Sequence, residues 1–271
     1  MGALSKKTAQ AGFTLVELIV VIVVSGILMA VGAQFIVKPV EGYLDLNRRT
    51  ELVAQGESAL RQMRRELRLA LPNSVRIDPV SGLWVECLPT VDGGRYRAQP
   101  QVPPLGTEDV LINEVADGSF DVLGGLRSAP APGSWVVIYN LDAASASGNA
   151  YNSPADNRAT VAAGSTATQV LLNPAHLFPR LSPEQRFFII QSPVRYVCDL
   201  ATGELRRHSG YAIAPNPVIG AGDLVAEGVS VCNFSYSVSG QRAGLVTLAL
   251  GLTQAGETIS LLHQIHVENA P

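Results

Sequence analysis

The sequence predicts an α+β fold: a long N-terminal membrane-spanning and stem helix packed on a C-terminal antiparallel β-sheet domain. Three observations predict it. An apolar run occupies residues 13–37, a helical hydrophobic period continues from 41 to 71, and the last third alternates with period two.

The apolar run comes first. Residues 1–12 carry Lys6 and Lys7 and no acid, and from Phe13 to Val37 the polar side chains are Thr14, Glu17, Ser25 and Gln34. At 1.5 Å per residue this run makes a helix of roughly 38 Å, enough to cross a hydrocarbon core of about 30 Å. The basic leader predicts a cytoplasmic N-terminus with the rest of the chain on the far side of the membrane. Glu17 is the anomaly, since a carboxylate in such a helix costs several kcal/mol near the bilayer centre and usually has a partner. Two ordinary readings compete. A secretory signal peptide would use Ala30, Gly32 and Ala33 near its cleavage site, but the run is longer than the usual apolar region and holds an acid. A simple one-pass anchor leaves the order Gly12-Phe13-Thr14-Leu15-Val16-Glu17 unexplained.

The stem follows over 38–71. Pro39 lacks an N–H and is expected to interrupt the helix. Beyond it Leu46, Val53, Gly56, Leu60, Met63, Leu67 and Leu71 form one stripe, the expected core-facing side. Arg61, Arg64, Arg65 and Arg68 gather on the adjacent flank, with Glu57 four residues before Arg61, and Pro72 stops the helix. The arginine flank reads as the solvated side of an amphipathic stem. The sharper alternative is an interface for an acidic partner subunit or, less favoured, for DNA. Nucleic acid wants a broad cationic surface with stacking aromatics, and here only Trp84, Tyr96, Arg95 and Arg97 hint at one. The net charge of −3, with Lys6 and Lys7 both in the leader, also disfavours a dedicated nucleic-acid binder.

Residues 72–271 are predicted to form the β-rich globular domain, large enough for a core of its own. Within 73–132 the short apolar pieces Leu83–Leu88 and Val110–Ile112 stand among Pro, Gly and Asp, and Trp135–Tyr139 is a strong strand candidate. Residues 142–168 are dominated by Ala, Ser, Gly, Asn and Thr and read as an exposed, flexible loop. Asp142 and Asp156 lie in it without the dense ligand run of a calcium loop. Phe187–Gln191, Val194–Cys198 and Leu205–His208 are short strands, the last two joined through Ala201-Thr202-Gly203 as a hairpin. Cys232, Phe234, Tyr236 and Val238 alternate on one face. So do Val246, Leu248, Leu250 and Leu252, and again Ile259, Leu261, Ile265 and Val267, giving an antiparallel sheet with one face on a core.

Of the three cysteines, Cys198 and Cys232 both lie in strand-like C-terminal segments and are the favoured disulfide, leaving Cys87 a buried free thiol. No Cys-x-x-Cys is present, and neither metal nor cofactor is expected. Nucleophile elbows, phosphate loops and zinc-protease helices are absent from the sequence. His263 and His266, three apart in a strand, point to opposite faces, and His208-Ser209 has no third group to orient it. The chain reads as a non-enzyme.

Gly12-Phe13-Thr14-Leu15-Val16-Glu17, behind a basic leader and before a spanning run, resembles the processing and assembly signal of type IV prepilins and pseudopilins. The resemblance implies a leader at 1–12, cut between Gly12 and Phe13 by a prepilin peptidase, with methylation of the new amine on Phe13. It also implies that Glu17 pairs with the N-terminal amine of a neighbouring subunit. Major pilins commonly carry a proline where this chain has Gln34; here the proline is Pro39, so the family's helix curvature does not transfer. The runs Leu60–Arg76, Val194-Arg195-Tyr196, Leu205-Arg206-Arg207 and Phe234-Ser235-Tyr236 resemble the larger J-type and PilW-like subunits. They are most similar to the MshO-type minor pilins of the mannose-sensitive haemagglutinin (MSHA) pilus. That implies a minor pilin or pseudopilin that initiates or caps a filament. Its implied partners are the prepilin peptidase, sibling minor and major pilins, and an inner-membrane platform with its ATPase. The implied location is the inner membrane, with the domain periplasmic, and then the pilus tip. A J-type pseudopilin of type II secretion and an adhesive module at a pilus tip are the alternatives.

Overall fold

The computed structural model describes residues 12–103, 106–238 and 243–271. The leader's first eleven residues, including Lys6 and Lys7, lie outside the described residues. The chain divides into two compact units, Met1–Glu51 and Leu52–Pro271.

One helix, α1 (Leu15–Arg68), supplies the described secondary structure of the first unit and the opening segment of the second. It begins at Thr14, whose Oγ1 accepts from the Glu17 backbone N–H at 3.3 Å while its carbonyl accepts from Leu18 N. Pro39 does not interrupt it, contrary to the sequence expectation. A proline removes one backbone bond, but its fixed φ is helical, and one missing bond in 54 residues leaves the ladder intact on both sides. Leu15–Gly32 is a candidate membrane span with a mean hydropathy of 2.7, none of it buried within the chain. The helix ends at Arg68, four residues before Pro72. The residue before a proline is pushed out of the α region, and Leu71 N instead donates to Leu88 O at 2.7 Å.

The described residues of the second unit contain fourteen strands, every pairing antiparallel. Strands β12 (Val229–Val238), β13 (Ala243–Gln254) and β14 (Glu257–Glu268) form a meander. Val246, Leu248, Leu250 and Leu252 of β13 and Ile259, Ile265 and Val267 of β14 turn inward. They share a core with Leu52, Ala59, Leu60, Met63 and Leu67 of α1. The buried stripe is rotated slightly from the one read in sequence. Leu52 takes the place of Val53, which is 37 % exposed, and Leu46 is 62 % exposed. Gly56 faces the sheet so closely that a Cβ there would lie 2.6 Å from Leu261 Cδ1 and 3.2 Å from Leu252 Cδ1.

A second sheet runs β1-β2-β9-β10-β11. Its strands are β1 (Arg76–Ile77), β2 (Trp84–Cys87), β9 (Val194–Asp199), β10 (Glu204–Ser209) and β11 (Asp223–Glu227). The β9–β10 hairpin turns through Gly203 at φ 70°, a conformation glycine adopts without steric cost. Cys198 is disulfide-bonded to Cys232, tying β9 to β12, and Cys87 is a buried free thiol. Burial pushes that thiol's pKa up, with the charges of Glu66 and Glu86 adding to the effect.

All the intervening strands form a third sheet, ordered β6-β5-β8-β3-β4-β7. They are β3 (Thr90–Tyr96), β4 (Asp117–Leu123), β5 (Trp135–Ile138), β6 (Arg158–Thr160), β7 (Gln169–His176) and β8 (Arg186–Ile190). Phe120, Phe187, Tyr96 and Phe178 head its own core. The expectation of an exposed loop over 142–168 is corrected here. Residues 142–157 are irregular, but Ala150 and Tyr151 are buried, Asn140 Oδ1 accepts from Ala150 N, and the segment ends in a strand. Composition missed this because small residues bury little area each, and one large side chain, Tyr151, anchors the stretch.

Candidate functional site

The Gly12–Glu17 signal stands at the start of α1. Phe13 is 78 % exposed, and nothing lies within 4 Å of where a Gly12 Cβ would be, so the Gly12–Phe13 peptide bond is sterically open. Thr14-Leu15-Val16-Glu17 has the spacing of a capping box, and its Thr14 half is made. Glu17 therefore sits in the first helical turn, where the aligned peptide dipoles favour an anion. Among the described residues no cation is paired with its carboxylate. The side chains of Leu15 through Val24 are all exposed, so this stretch offers an apolar surface that no other described residue covers.

The stem's charged side chains divide into two groups. Glu66 turns toward the sheet, where it accepts from Tyr196 Oη at 2.8 Å and from Arg207 Nε at 2.9 Å. Arg61, Arg64, Arg65 and Arg68 are all exposed. The aromatic residues that hinted at nucleic acid are otherwise engaged. Tyr96 is buried with its hydroxyl on Ser182 O, Arg195 covers Trp84 at 4.3 Å, and Arg97 pairs with Asp121 at 3.2 Å.

Nothing in the sequence marks the strongest polar cluster. Glu86, fully buried in β2, accepts from Arg76 Nε at 2.6 Å, Arg195 Nε at 2.6 Å and Tyr211 Oη at 2.7 Å. Arg76 also donates to Ala214 O and Pro215 O and lies over the Tyr151 ring at 3.7 Å. These donors point at a carbonyl, a carboxylate or a ring face, and Glu86 itself is fully buried, so its carboxylate has no approach for a substrate. Its work is to join β1, β2, β9 and the segments around 151 and 211. An open groove of about 750 Å³ lies among Asn73, Tyr139, Asp142, Tyr236 and Asn269. Its amides are largely spent on the protein itself: Asn73 Nδ2 donates to Asn140 O and Asn269 O, and Tyr236 Oη exchanges hydrogen bonds with Asn269.

His263 is half-buried, 3.5 Å from Glu57, and His266 is exposed, so the two do not converge. Asp156 accepts from Ser147 Oγ and Gly148 N, while Asp142 accepts from Ala144 N and Ser145 Oγ. Among the described residues no group of three or more His, Cys, Asp or Glu could hold a metal ion.

Residues 7–33 match the prokaryotic N-terminal methylation motif. No curated protein and no solved structure matches the chain. The motif supports a type IV pilin-like protein and implies processing by a prepilin peptidase and assembly with other pilins. Proteins of the motif family are structural subunits. With the uncovered apolar helix, the motif points to a membrane-anchored pilin.

Proposed function

We propose that this chain is a minor pilin or pseudopilin that helps to initiate or cap a type IV filament of the MSHA-like kind. In this reading a prepilin peptidase cuts between Gly12 and Phe13, the Phe13 amine is methylated, and Glu17 pairs with the amine of a neighbouring subunit. The observation that carries it is an apolar span that no other described residue covers, headed by the methylation motif and by an acid in the first helical turn. A carboxylate at that depth is costly alone and is compensated when a neighbour's ammonium lies beside it. The size of the domain favours a minor over a major subunit, because a subunit copied at high density is typically small. A J-type subunit of a type II secretion pseudopilus has the same chemistry and differs in its siblings.

The N-terminal mass of the protein recovered from its membrane tests the reading. A mature chain beginning at methylated Phe13, with Gly12→Val retaining the whole leader, is the expected result. Any other mature N-terminus sinks it. Cross-linking in the same membrane then separates the systems, yielding sibling pilins in one case and secretion pseudopilins in the other.

A further inference from the structure

We propose that the arginine row of α1 is a docking surface for an acidic helical face of another polypeptide. Arg61, Arg64, Arg65 and Arg68 stand at i, i+3, i+4 and i+7, so at 100° per residue they fill an arc of about 100°. The centre of that arc is about 140° from the centre of the buried stripe, which points the row into solvent. All four side chains are exposed. Of the four, only Arg61 meets a carboxylate, Glu57 at 3.6 Å, and Glu57 is shared with His263. Among the described residues Arg64, Arg65 and Arg68 have no acidic partner.

Most other arginines of the domain are engaged within it. Arg76 and Arg195 are paired with Glu86, Arg207 with Glu66, Arg97 with Asp121 and Arg206 with Glu204, and Arg158 is spent on the Ala150 and Asn152 carbonyls. Among the described residues Arg127 and Arg180 are also exposed without a carboxylate partner, but neither belongs to a helical row, and the contiguous row of unneutralised cations lies on this face of a chain whose net charge is −3. Like charges three and four residues apart on a helix repel each other, and an anionic partner between them relieves that repulsion.

Geometry selects the kind of anion. The row spans two helical turns, about 10 Å, and is a single file rather than a broad plane. Carboxylates at matching i, i+3, i+4 and i+7 positions of a second helix meet it side chain for side chain, and planar guanidinium groups bind carboxylates through paired hydrogen bonds. A DNA duplex wants a wider basic surface, and a single strand wants aromatic platforms. Tyr96, buried, and Trp84, under Arg195, supply no such platform.

The assay uses the full chain in detergent micelles at low ionic strength, so it reads the row separately from filament assembly. The probe is a labelled alanine-based helical peptide with four glutamates in an i, i+3, i+4, i+7 row. Its control is an isomer with the same four glutamates spread around the helix. Four exposed ion pairs give about a tenfold preference for the row peptide. The quadruple variant R61Q/R64Q/R65Q/R68Q loses that preference, and the single variants R64Q and R65Q each reduce it should the quadruple variant fold poorly. Equal binding of the two peptides overturns the proposal. So does a preference that survives the single variants, or displacement of the row peptide by a short DNA duplex or phosphatidylglycerol vesicles at lower charge concentration than by unlabelled peptide.

Discussion

Glu86 shows how much one residue can hold in this domain. Its carboxylate is fully buried between Arg76 and Arg195, whose side chains are 14 % and 12 % exposed. Forming such a cluster gains little net stability, because three charges lose their water, but breaking it is expensive. Glu86→Ala leaves two guanidinium groups facing each other and is expected to cost about 3–5 kcal/mol, read as a shift in the urea midpoint at unchanged slope. Four tyrosines give a pH signature. Burial raises the pKa of Tyr96 to about 12, and burial first, then the neighbouring Glu66 or Glu86 charge, pushes Tyr196, Tyr211 and Tyr151 above their ordinary value. The folded state therefore holds these protons more tightly than the unfolded chain does. Their contribution is complete below the unfolded value of 10.0 and is lost as pH rises above it. Melting temperature is expected to fall steeply only beyond about pH 10, and Tyr211→Phe to make that fall shallower. At this scale the sequence was legible where a residue broke a local rule and opaque where its partners were remote. Glu17 stands out in an apolar run. Glu86 sits in a short strand, Trp84-Val85-Glu86-Cys87, and reads as an outward residue until Arg76 and Arg195 arrive from elsewhere in the chain.

Among the elements, α1 followed its sequence in kind and departed in detail. The length of its apolar run and its period of 3.6 were plain, but a single proline and a rotation of the stripe by one residue depend on packing. The helix lies tight on β13 and β14 at Gly56, where a branched side chain would strike Leu261 and Leu252. Gly56→Val is expected to destabilise the domain by about 1–3 kcal/mol through overpacking, and a thermal melt beside Gly56→Ala, which needs the ends of Leu261 and, slightly, Leu252 to move, separates strain from helix propensity. The C-terminal hairpins were legible because period-two alternation over long strands leaves little ambiguity. The region from 90 to 176 was harder, because its strands are short or irregular and carry glycine. Gly93 and Gly94, for example, stand where a Cβ would crowd Phe187 and Phe188 of β8.

For the whole molecule, the Glu17 carboxylate and the apolar surface of residues 15–32 both lack a partner among the described residues, which makes both candidates for contact with another chain or a membrane. Glu17→Ala is expected to permit leader removal and lower incorporation into filaments, seen as a mature-sized band that stays with the membrane when filaments are sheared away. Normal incorporation of that variant would leave the acid with a role only in capping its own helix. The register of the second sheet has a different consequence. Cys87, the last residue of β2, pairs with Val194, the first of β9, and everything from β3 through β8 departs and returns between these two neighbours. That stretch is a cassette whose two ends already touch. A tight turn closes β2 onto β9 in principle, but Tyr151 and Asn140 staple the cassette to Ser74 and Pro72, so its freedom to diverge in length belongs to the loops away from those two residues.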